Sequence, residues 1–201
     1  MKAKAIRINE YGGPEVLQFV DVDVPDPGPG EARIRHTAIG LNFIDTYHRI
    51  GLYPAPLPGG LGSEAAGIVE AVGPEVSEVE VGDRVVYTGR PADSYSECRN
   101  FPAAQLVPIP EGISDDEAAA VLLKGLTAWY LLRRSYPVQK GDKVLLYAAA
   151  GGVGLLAGQC GESPGCAGHR RGQYRREGAT GACQRLFRHH NGGRRCAGAC
   201  P

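Results

Sequence analysis

Three small residues at a characteristic spacing form the part of the sequence best suited to bind a ligand. The pattern is Ala149-x-Gly151-x-x-Gly154, and it directly follows an apolar run at residues 143–148. Glycines at this spacing permit a tight turn from a strand into a helix and let the backbone approach a pyrophosphate, whose charge the helix N-terminus favours. The pattern therefore predicts a dinucleotide-binding turn; the alternative is an ordinary glycine-rich turn before a helix.

The elements that would position this turn can be predicted from the neighbouring sequence. The run at residues 143–148 is of strand length and almost entirely apolar, which is typical of a strand covered on both faces of a parallel sheet. Further upstream, residues 114–117 have the spacing of a capping box, and the composition of residues 118–132 predicts the helix that follows it. We expect Trp129 and Tyr130 of this helix in the core.

The first 110 residues show a different pattern. Apolar and polar residues alternate in short runs that are separated by glycine and proline, at residues 3–8, 16–24, 32–39, 65–72 and 83–87. Alternation with period two and such breaks predicts short strands. One helix is expected at residues 42–49. This part of the chain is therefore predicted to be a β-rich unit.

Charge and cysteine content divide the chain near residue 158. Residues 1–158 hold 14 basic and 20 acidic residues, whereas residues 159–201 hold 8 arginines and 2 acids. Cys98 is the single cysteine of the first segment, and five cysteines lie in the second. A main body with one thiol is typical of a reducing compartment. Because the sequence also has neither a run of about 18 apolar residues nor a secretory signal, we expect a cytoplasmic protein without a membrane span.

Several separate motifs, in order along the chain, resemble one known family. They are Asn42-Phe43-Ile44-Asp45, Gly51-Leu52-Tyr53-Pro54, Gly62-Ser63-Glu64-Ala65-Ala66-Gly67-Ile68-Val69, Gly82-Asp83-Arg84-Val85, Leu123-Lys124-Gly125-Leu126-Thr127-Ala128 and residues 148–154. Together they closely resemble the NADPH-dependent quinone oxidoreductases, which are zinc-free members of the medium-chain dehydrogenase/reductase family related to zeta-crystallin. The resemblance covers residues 1–159.

The resemblance implies a fold and a division into domains. It implies a GroES-like, β-rich catalytic domain at residues 1–122. The beginning of an α/β Rossmann cofactor domain would follow at residues 123–158 and would be incomplete. The site would lie in the cleft between the two domains.

The resemblance also implies which residues form the site. Asn42, Tyr47 and Tyr53 would act on the quinone. NADPH would be bound by Phe43, Asp45, Lys124, Thr127, Gly151, Gly152, Val153 and Gly154. Ordinary roles stay open for five of these residues: aromatic packing for Phe43, Tyr47 and Tyr53, a helix-start carboxylate for Asp45, and a solvated charge for Lys124.

No metal site is expected. Zinc-dependent relatives have Cys and His ligands near position 42 and at position 63, where this chain has Asn42 and Ser63, and neither residue suits a catalytic zinc. His36 and His48 lack partner cysteines at a useful spacing. The chemistry needs no metal, because a quinone is already a strong electrophile and NADPH would supply the hydride.

The resemblance extends to partners, and it leaves other functions open. It implies a quinone substrate, no nucleic acid, no membrane, and a homodimer whose contact surface this chain would lack. The same scaffold serves reductases of other activated carbonyl or C=C compounds. Zeta-crystallin illustrates a third possibility, a non-catalytic binding or structural role.

Residues 159–201 fit neither domain, since they contain no Val and no Ile. A frameshift accounts for them: with permitted codons, deleting one nucleotide at Cys160 makes residues 160–165 read Trp-Ala-Lys-Ala-Leu-Gly, which the family pattern places after Gln159. We therefore expect an out-of-frame, disordered tail and an inactive fragment that neither binds NADPH tightly nor turns over quinone. The alternative is a basic tail, rich in Cys and His, that binds metal or nucleic acid.

Overall fold

The computed structural model describes residues 1–139, 142 and 144–162. The predicted tail therefore lies almost entirely outside the described residues. The chain divides into two compact units, Met1–Leu123 and Lys124–Pro201. The strands that the structure describes all lie in unit 1, and they are β1 (Lys2–Ile8), β2 (Gln18–Asp23), β3 (Glu31–Gly40), β4 (Gly59–Gly60), β5 (Glu64–Val72), β6 (Arg84–Thr88), β7 (Cys98–Pro102) and β8 (Val107–Pro108).

The described part of the chain also contains three α-helices. They are α1 (Phe43–Arg49), α2 (Asp115–Trp129) and α3 (Gly152–Glu162). A π-helical turn, Tyr130–Ser135, continues α2. The division between the two units falls within α2, so that its last turns belong to unit 2.

The strands of unit 1 form two antiparallel sheets, of three strands in the order β2-β1-β4 and of five in the order β7-β3-β5-β6-β8. The five runs of alternating residues all form strands, as predicted, and the predicted helix near residue 42 is α1. Strands β4 and β8 are two residues long, and β7 ends in a proline, so alternation does not identify these three.

The main core of unit 1 lies against the five-stranded sheet. Tyr87 of β6 and Phe101 of β7 are fully buried and stack with their ring centroids 4.1 Å apart. Apolar residues of the neighbouring strands and of the connections after β5 and β7 surround them, namely Ala32, Ile34, Ala65, Val69, Val79, Val85, Ala103 and Leu106. Large buried aromatic rings dominate such cores because each removes more apolar surface from water than any aliphatic side chain does.

The start of α2 is fixed to the sheet by hydrogen bonds. The predicted capping box is present, since the Ser114 backbone N donates to Glu117 at 2.9 Å and the Glu117 backbone N donates to Ser114 Oγ at 3.2 Å. Asp115 accepts from Thr37 Oγ1 of β3 at 2.6 Å and from Arg84 Nη2 of β6 at 2.5 Å. These contacts, with the hydrogen bond from Thr37 foremost, lower the pKa of Asp115.

In unit 2, the strand predicted at residues 143–148 is not formed. Apart from a single bridge at Leu145, residues 144–146 have no regular structure, and residues 147–150 form a turn. Leu145 and Tyr147 are more than half exposed. A strand is stable only when a neighbouring strand accepts and donates its backbone hydrogen bonds, and the described residues of unit 2 include no such neighbour.

The prediction that Trp129 and Tyr130 lie in the core is also wrong, since both side chains are more than half exposed. The described residues of unit 2 form a small core, in which Ala128, Leu132 and Ala157 of α3 are buried. The reason is that this core receives one short stripe of α2 and its π-helical continuation. The large aromatic side chains at the end of α2 therefore remain in contact with solvent.

Candidate functional site

Helix α1 begins at a capping pair of polar residues. Asn42 has an extended backbone, with φ −126° and ψ 145°, and directly precedes the first helical residue. Its backbone N donates to Asp45 Oδ2 at 3.0 Å, and both side chains are buried. Asparagine is among the preferred residues before a helix, and an acid three positions later satisfies its free N–H group. The two predicted site residues are thus brought together by the start of the helix.

The Asp45 carboxylate joins three segments of unit 1. Besides Asn42, it accepts a hydrogen bond from Ser63 Oγ at 3.1 Å on Oδ1 and one from the Tyr95 hydroxyl at 2.8 Å on Oδ2. Burial raises the pKa of Tyr95, and the hydrogen bond to Asp45 raises it further. The tyrosine therefore stays protonated and donates. Asp45 therefore has the ordinary role that the sequence analysis kept open for it, that of a carboxylate at the start of a helix.

Three aromatic side chains near Asn42 pack edge to face, each ring against the next. The Phe43 and Tyr47 ring centroids are 5.3 Å apart, and those of Tyr47 and Tyr53 are 5.5 Å apart, with nearly perpendicular planes. Phe43 is 74% exposed and Tyr53 is 46% exposed. His48 Nδ1 donates to the Tyr53 backbone oxygen at 3.2 Å, which holds the loop after α1. The rings therefore pack on one another and still offer aromatic surface to a planar ligand.

A small depression of about 230 Å³ opens beside the start of α1. Asn42, Phe43 and Asp45 line it together with Leu17, Leu41, Thr46, Arg49, Leu61 and Tyr95. Tyr47 and Tyr53 lie beyond its lining. The structure thus brings three of the predicted residues to one depression and connects the other two to it through the ring of Phe43.

The glycine pattern forms the tight turn that its spacing predicts. Gly151 N donates to the Ala148 carbonyl at 2.8 Å, and α3 begins at the next residue. A Cβ at Gly154 would collide with the same Ala148 oxygen. Ala148 itself has φ +51°, a left-handed conformation that is unfavourable for a residue with a side chain. The turn therefore depends on its glycines, and it leaves the first N–H groups of α3 without helical partners.

The predicted residues of α2 lie in the same unit as this turn. The Lys124 side chain passes over Gly152, because a Cβ there would be 2.6 Å from Lys124 Cδ. Thr127 is half-buried in the next turn of the helix. Val153 packs on the small core of unit 2 rather than facing solvent. Lys124 and the glycine turn are therefore adjacent, so that a positive charge lies beside backbone N–H groups, a combination suited to phosphate.

Two residues of this region were not predicted from the sequence. Tyr95 donates to Asp45 and lines the depression, but it lies in a loop without a recognisable motif. Glu64 is completely buried and accepts a hydrogen bond from Asn42 Nδ2 at 2.8 Å. An acid directly before the apolar run at residues 65–69 was a signal for Glu64, because carboxyl groups are seldom buried without a specific partner.

The residues at the positions of the zinc ligands of related proteins form hydrogen bonds with other side chains in this chain. Ser63 and Asn42 both contact Asp45, as described above, and His36 is engaged by Tyr87 and Ser96. Within residues 1–139, 142 and 144–162, no group of three His, Cys, Asp or Glu side chains is arranged to hold a metal ion. Over the same residues, no helix combines the length and the apolar character needed to cross a bilayer.

Comparisons with known proteins agree with this geometry. Residues 28–111 match the alcohol dehydrogenase GroES-like domain. Quinone oxidoreductase of Pseudomonas aeruginosa is 58% identical over 158 residues, which are 78% of this chain and 49% of that protein. The 2-haloacrylate reductase of a Burkholderia species is 46% identical over 156 residues, which are 74% of this chain and 46% of that protein.

Solved structures give the same result. The crystal structure of Escherichia coli quinone oxidoreductase complexed with NADPH superimposes with a TM-score of 0.78 and 47% identity, over 84% of this chain and 51% of that one. The fold and the matched domain therefore define a GroES-like member of the medium-chain dehydrogenase/reductase class, followed by the incomplete beginning of a Rossmann domain. Within that class, the chain belongs to the quinone oxidoreductase family. It spans about half the length of the curated relatives that it matches.

Proposed function

We propose that the described residues carry the acceptor side, and the beginning of the cofactor side, of an NADPH-dependent quinone reductase. The observation that carries the proposal is the exposed row of aromatic rings that begins beside the buried Asn42, at the start of α1. A quinone is flat and apolar with two carbonyl oxygens, so it needs aromatic surface for its ring and a polar donor for one oxygen. The relatives named quinone oxidoreductase support the same substrate class.

Asn42, Tyr47 and Tyr53 are the residues that we assign to the quinone. Reduction leaves negative charge on a quinone oxygen, and an amide N–H or phenol O–H placed there stabilises it. The rings of Tyr47 and Tyr53 would hold the quinone in one orientation and exclude water from it. Phe43 and Asp45 would border the nicotinamide, with Asp45 acting through its hydrogen bonds to Asn42 and Tyr95.

The turn at residues 148–154 fits the pyrophosphate of NADPH. Side chains are absent where the backbone is tightest, and the N-terminus of α3 provides free N–H groups. We assign Gly151, Gly152, Val153 and Gly154 to this role, with Lys124 and Thr127 on the adjacent helix supplying charge and a hydroxyl. When bound, NADPH supplies the hydride. In this proposal, residues 1–122 are the catalytic domain and residues 123–158 begin the cofactor domain.

The 201-residue chain is proposed to be inactive by itself. Unit 2 has one side of a dinucleotide site and, among the residues that the structure describes, no sheet to support it. We propose that residues 159–201 are read out of frame. Sequencing the gene across codon 160 tests the frame, and an intact frame without an alternative product of family length would contradict it. Quinone-dependent loss of NADPH absorbance with the purified chain would contradict inactivity.

The assignment of residues is tested in the frame-restored protein. Asn42→Ala and Tyr53→Phe are expected to lower kcat by about tenfold or more, because each removes a donor to the developing oxyanion. Tyr136→Phe, at an exposed tyrosine of unit 2, is the matched control and should leave kcat unchanged. Equal rates for all four proteins would exclude Asn42 and Tyr53 from the chemistry.

A second candidate is the reduction of an activated C=C bond. The specific observation that favours it is the 46% identity with 2-haloacrylate reductase, which equals the identity with one probable quinone oxidoreductase and is close to the 50% found for two others. A panel of quinones and 2-haloacrylates, assayed with the frame-restored protein and NADPH, distinguishes the two. Faster turnover of the haloacrylates would reverse the order of the candidates.

The proposal also covers the cellular compartment of the protein, its oligomeric state and a possible non-catalytic role. We propose a cytoplasmic protein, without nucleic-acid or membrane partners, whose full-length form is a homodimer. Light scattering on the frame-restored protein would test the dimer. A non-catalytic role is favoured if that protein binds NADPH in a titration but reduces no acceptor of either class.

A further inference from the structure

We infer that Glu64 is a positioning residue that sets the direction in which the Asn42 amide is presented, an inference that rests on the proposed role of Asn42 toward the quinone. Glu64 is the first residue of β5, and its side chain is completely removed from solvent. Burying a carboxyl group is costly unless hydrogen bonds compensate for the lost water. Its contacts therefore explain why a carboxyl group is kept at this position.

Both oxygens of Glu64 accept hydrogen bonds from other elements of unit 1. Oε2 accepts from Asn42 Nδ2 at 2.8 Å, and Oε1 accepts from the backbone N of Leu123 at 2.6 Å. Gly40 at the end of β3 provides the space, since a Cβ there would lie 2.6 Å from Glu64 Oε2. One side chain thus connects the start of β5 with the cap of α1 and with α2.

The chemistry of the carboxyl group fixes the orientation of the amide. An asparagine amide donates at its NH2 end and accepts at its carbonyl end, and its partners decide which end faces which way. Because Oε2 accepts, the NH2 end of Asn42 lies against Glu64. The second N–H of that group then remains as the donor for a ligand. The hydrogen bond to Glu64 therefore fixes both the position of the Asn42 side chain and the direction of its amide group.

Replacing the carboxyl group by an amide separates this role from simple space filling. Glutamine has nearly the same shape but only one accepting oxygen, whereas Glu64 accepts from both Asn42 Nδ2 and Leu123 N. In Glu64→Gln, either Asn42 turns its amide over or one of the two donors loses its hydrogen bond to residue 64. Both consequences are visible at the donors themselves, without cofactor or turnover.

The experiment uses the whole 201-residue chain, labelled with ¹⁵N, and follows the Asn42 side-chain amide and the Leu123 backbone amide by NMR. In the natural sequence, the Asn42 amide should exchange with water more slowly than the exposed side-chain amide of Asn9. In Glu64→Gln, one of the two signals should move and exchange about tenfold faster, the effect expected from one lost hydrogen bond. Glu70→Gln, on the same strand and paired with Arg35, is the control and should change neither signal.

Two results would overturn the inference. One is a Glu64→Gln spectrum in which the Asn42 and Leu123 signals both match the natural chain in position and exchange. The other is an Asn42 amide in the natural chain that exchanges as fast as that of Asn9, and this comparison decides the matter if Glu64→Gln does not fold.

Duroquinone distinguishes a failure of this inference from a failure of the proposed function. If the proposed function is correct, adding duroquinone to the natural chain shifts the Asn42 side-chain signal, and Glu64→Gln reduces that shift. If Glu64→Gln speeds up exchange of the Asn42 amide, equal shifts in both proteins would contradict positioning by Glu64. A natural chain whose Asn42, Tyr47 and Tyr53 signals do not respond would contradict the assigned quinone site, while the exchange measurement still decides what orients Asn42.

Discussion

The two units of the chain differ in how many of their apolar residues have packing partners. In unit 1, Tyr87 and Phe101 are fully buried, and β3 pairs with a strand on each side. In unit 2, Trp129, Leu145 and Tyr147 are all more than half exposed. Among the described residues of unit 2, the buried apolar members are Ala128, Leu132 and Ala157. The difference follows the strands, since unit 1 has two sheets and the described part of unit 2 has none.

This difference has a functional counterpart. The acceptor side of the proposed site lies in the unit with complete sheets, and its polar groups are connected through Asp45 and Glu64. The proposed cofactor side consists of a turn and two helical segments around a small core. We therefore expect stability to be concentrated in unit 1, and the following predictions, from the largest effect to the smallest, test that contrast.

The largest effect is expected for truncation of the unit 1 core. Phe101→Ala should lower the free energy of unfolding by about 3–5 kcal/mol, because it leaves a cavity beside the Tyr87 ring. Leu145→Ala, at a side chain already 52% exposed in unit 2, should cost less than about 1 kcal/mol. Urea unfolding followed by circular dichroism measures both. Similar costs for the two variants would contradict the contrast.

Acid should destabilise unit 1 through His36. Its Nδ1 lies 2.6 Å from the Ser96 oxygen, and Nε2 lies 2.8 Å from the Tyr87 hydroxyl, so the neutral ring donates once and accepts once. Burial lowers the pKa of His36 from 6.5 to about 4. Between these values the unfolded chain binds a proton that the folded chain does not, so stability decreases as the pH falls from about 6.5 to about 4.

The expected loss over this range is on the order of 2 kcal/mol, which allows for partial exposure of the ring. It should be measured as the change in urea midpoint with pH. His36→Asn keeps a donor for Ser96 but does not titrate, so this component should disappear from its pH profile. An unchanged profile in that variant would assign the acid sensitivity to other groups.

A smaller effect is expected at the start of α2. Ser114→Ala removes the side-chain partner of the Glu117 backbone N and should cost about 1 kcal/mol. The residue is in unit 1, so circular dichroism of the main unfolding transition reports it. Ser77→Ala, outside any helix, is the control. A loss no greater than that of the control would show that Asp115 alone fixes the helix start.

The smallest effect is expected in unit 2 and has the opposite sign. Ala148 has φ +51°, and glycine adopts that conformation without the steric cost. Ala148→Gly should therefore stabilise unit 2 by up to about 1 kcal/mol. Trp129 is the single tryptophan of the chain and lies in unit 2, so its fluorescence follows this unit selectively. Ala150→Gly, where φ is not positive, should be neutral or destabilising.

The sequence was most informative where a local pattern is sufficient. Alternation predicted five strands, and the spacing of Ser114 and Glu117 predicted the helix start, because these patterns act between residues that are close in the chain. The glycine spacing likewise predicted the turn before α3. The motifs shared with the quinone oxidoreductases indicated the family, and the comparisons confirmed it.

Other features were decided only by tertiary structure. Residues 144–148 have a strand sequence but no strand, because the backbone groups of a strand need a neighbour that no local pattern guarantees. Trp129 is exposed at the end of α2 although its residue type suits a core. Asp45, Ser63 and Tyr95 meet although up to 50 residues separate them, and Asn42 meets Glu64 and, through it, Leu123. The sequence by itself determined most of the short elements of unit 1, and it predicted which residue types suit the proposed chemistry. The folded chain decided which polar groups meet, because burial leaves each of them dependent on partners from distant segments.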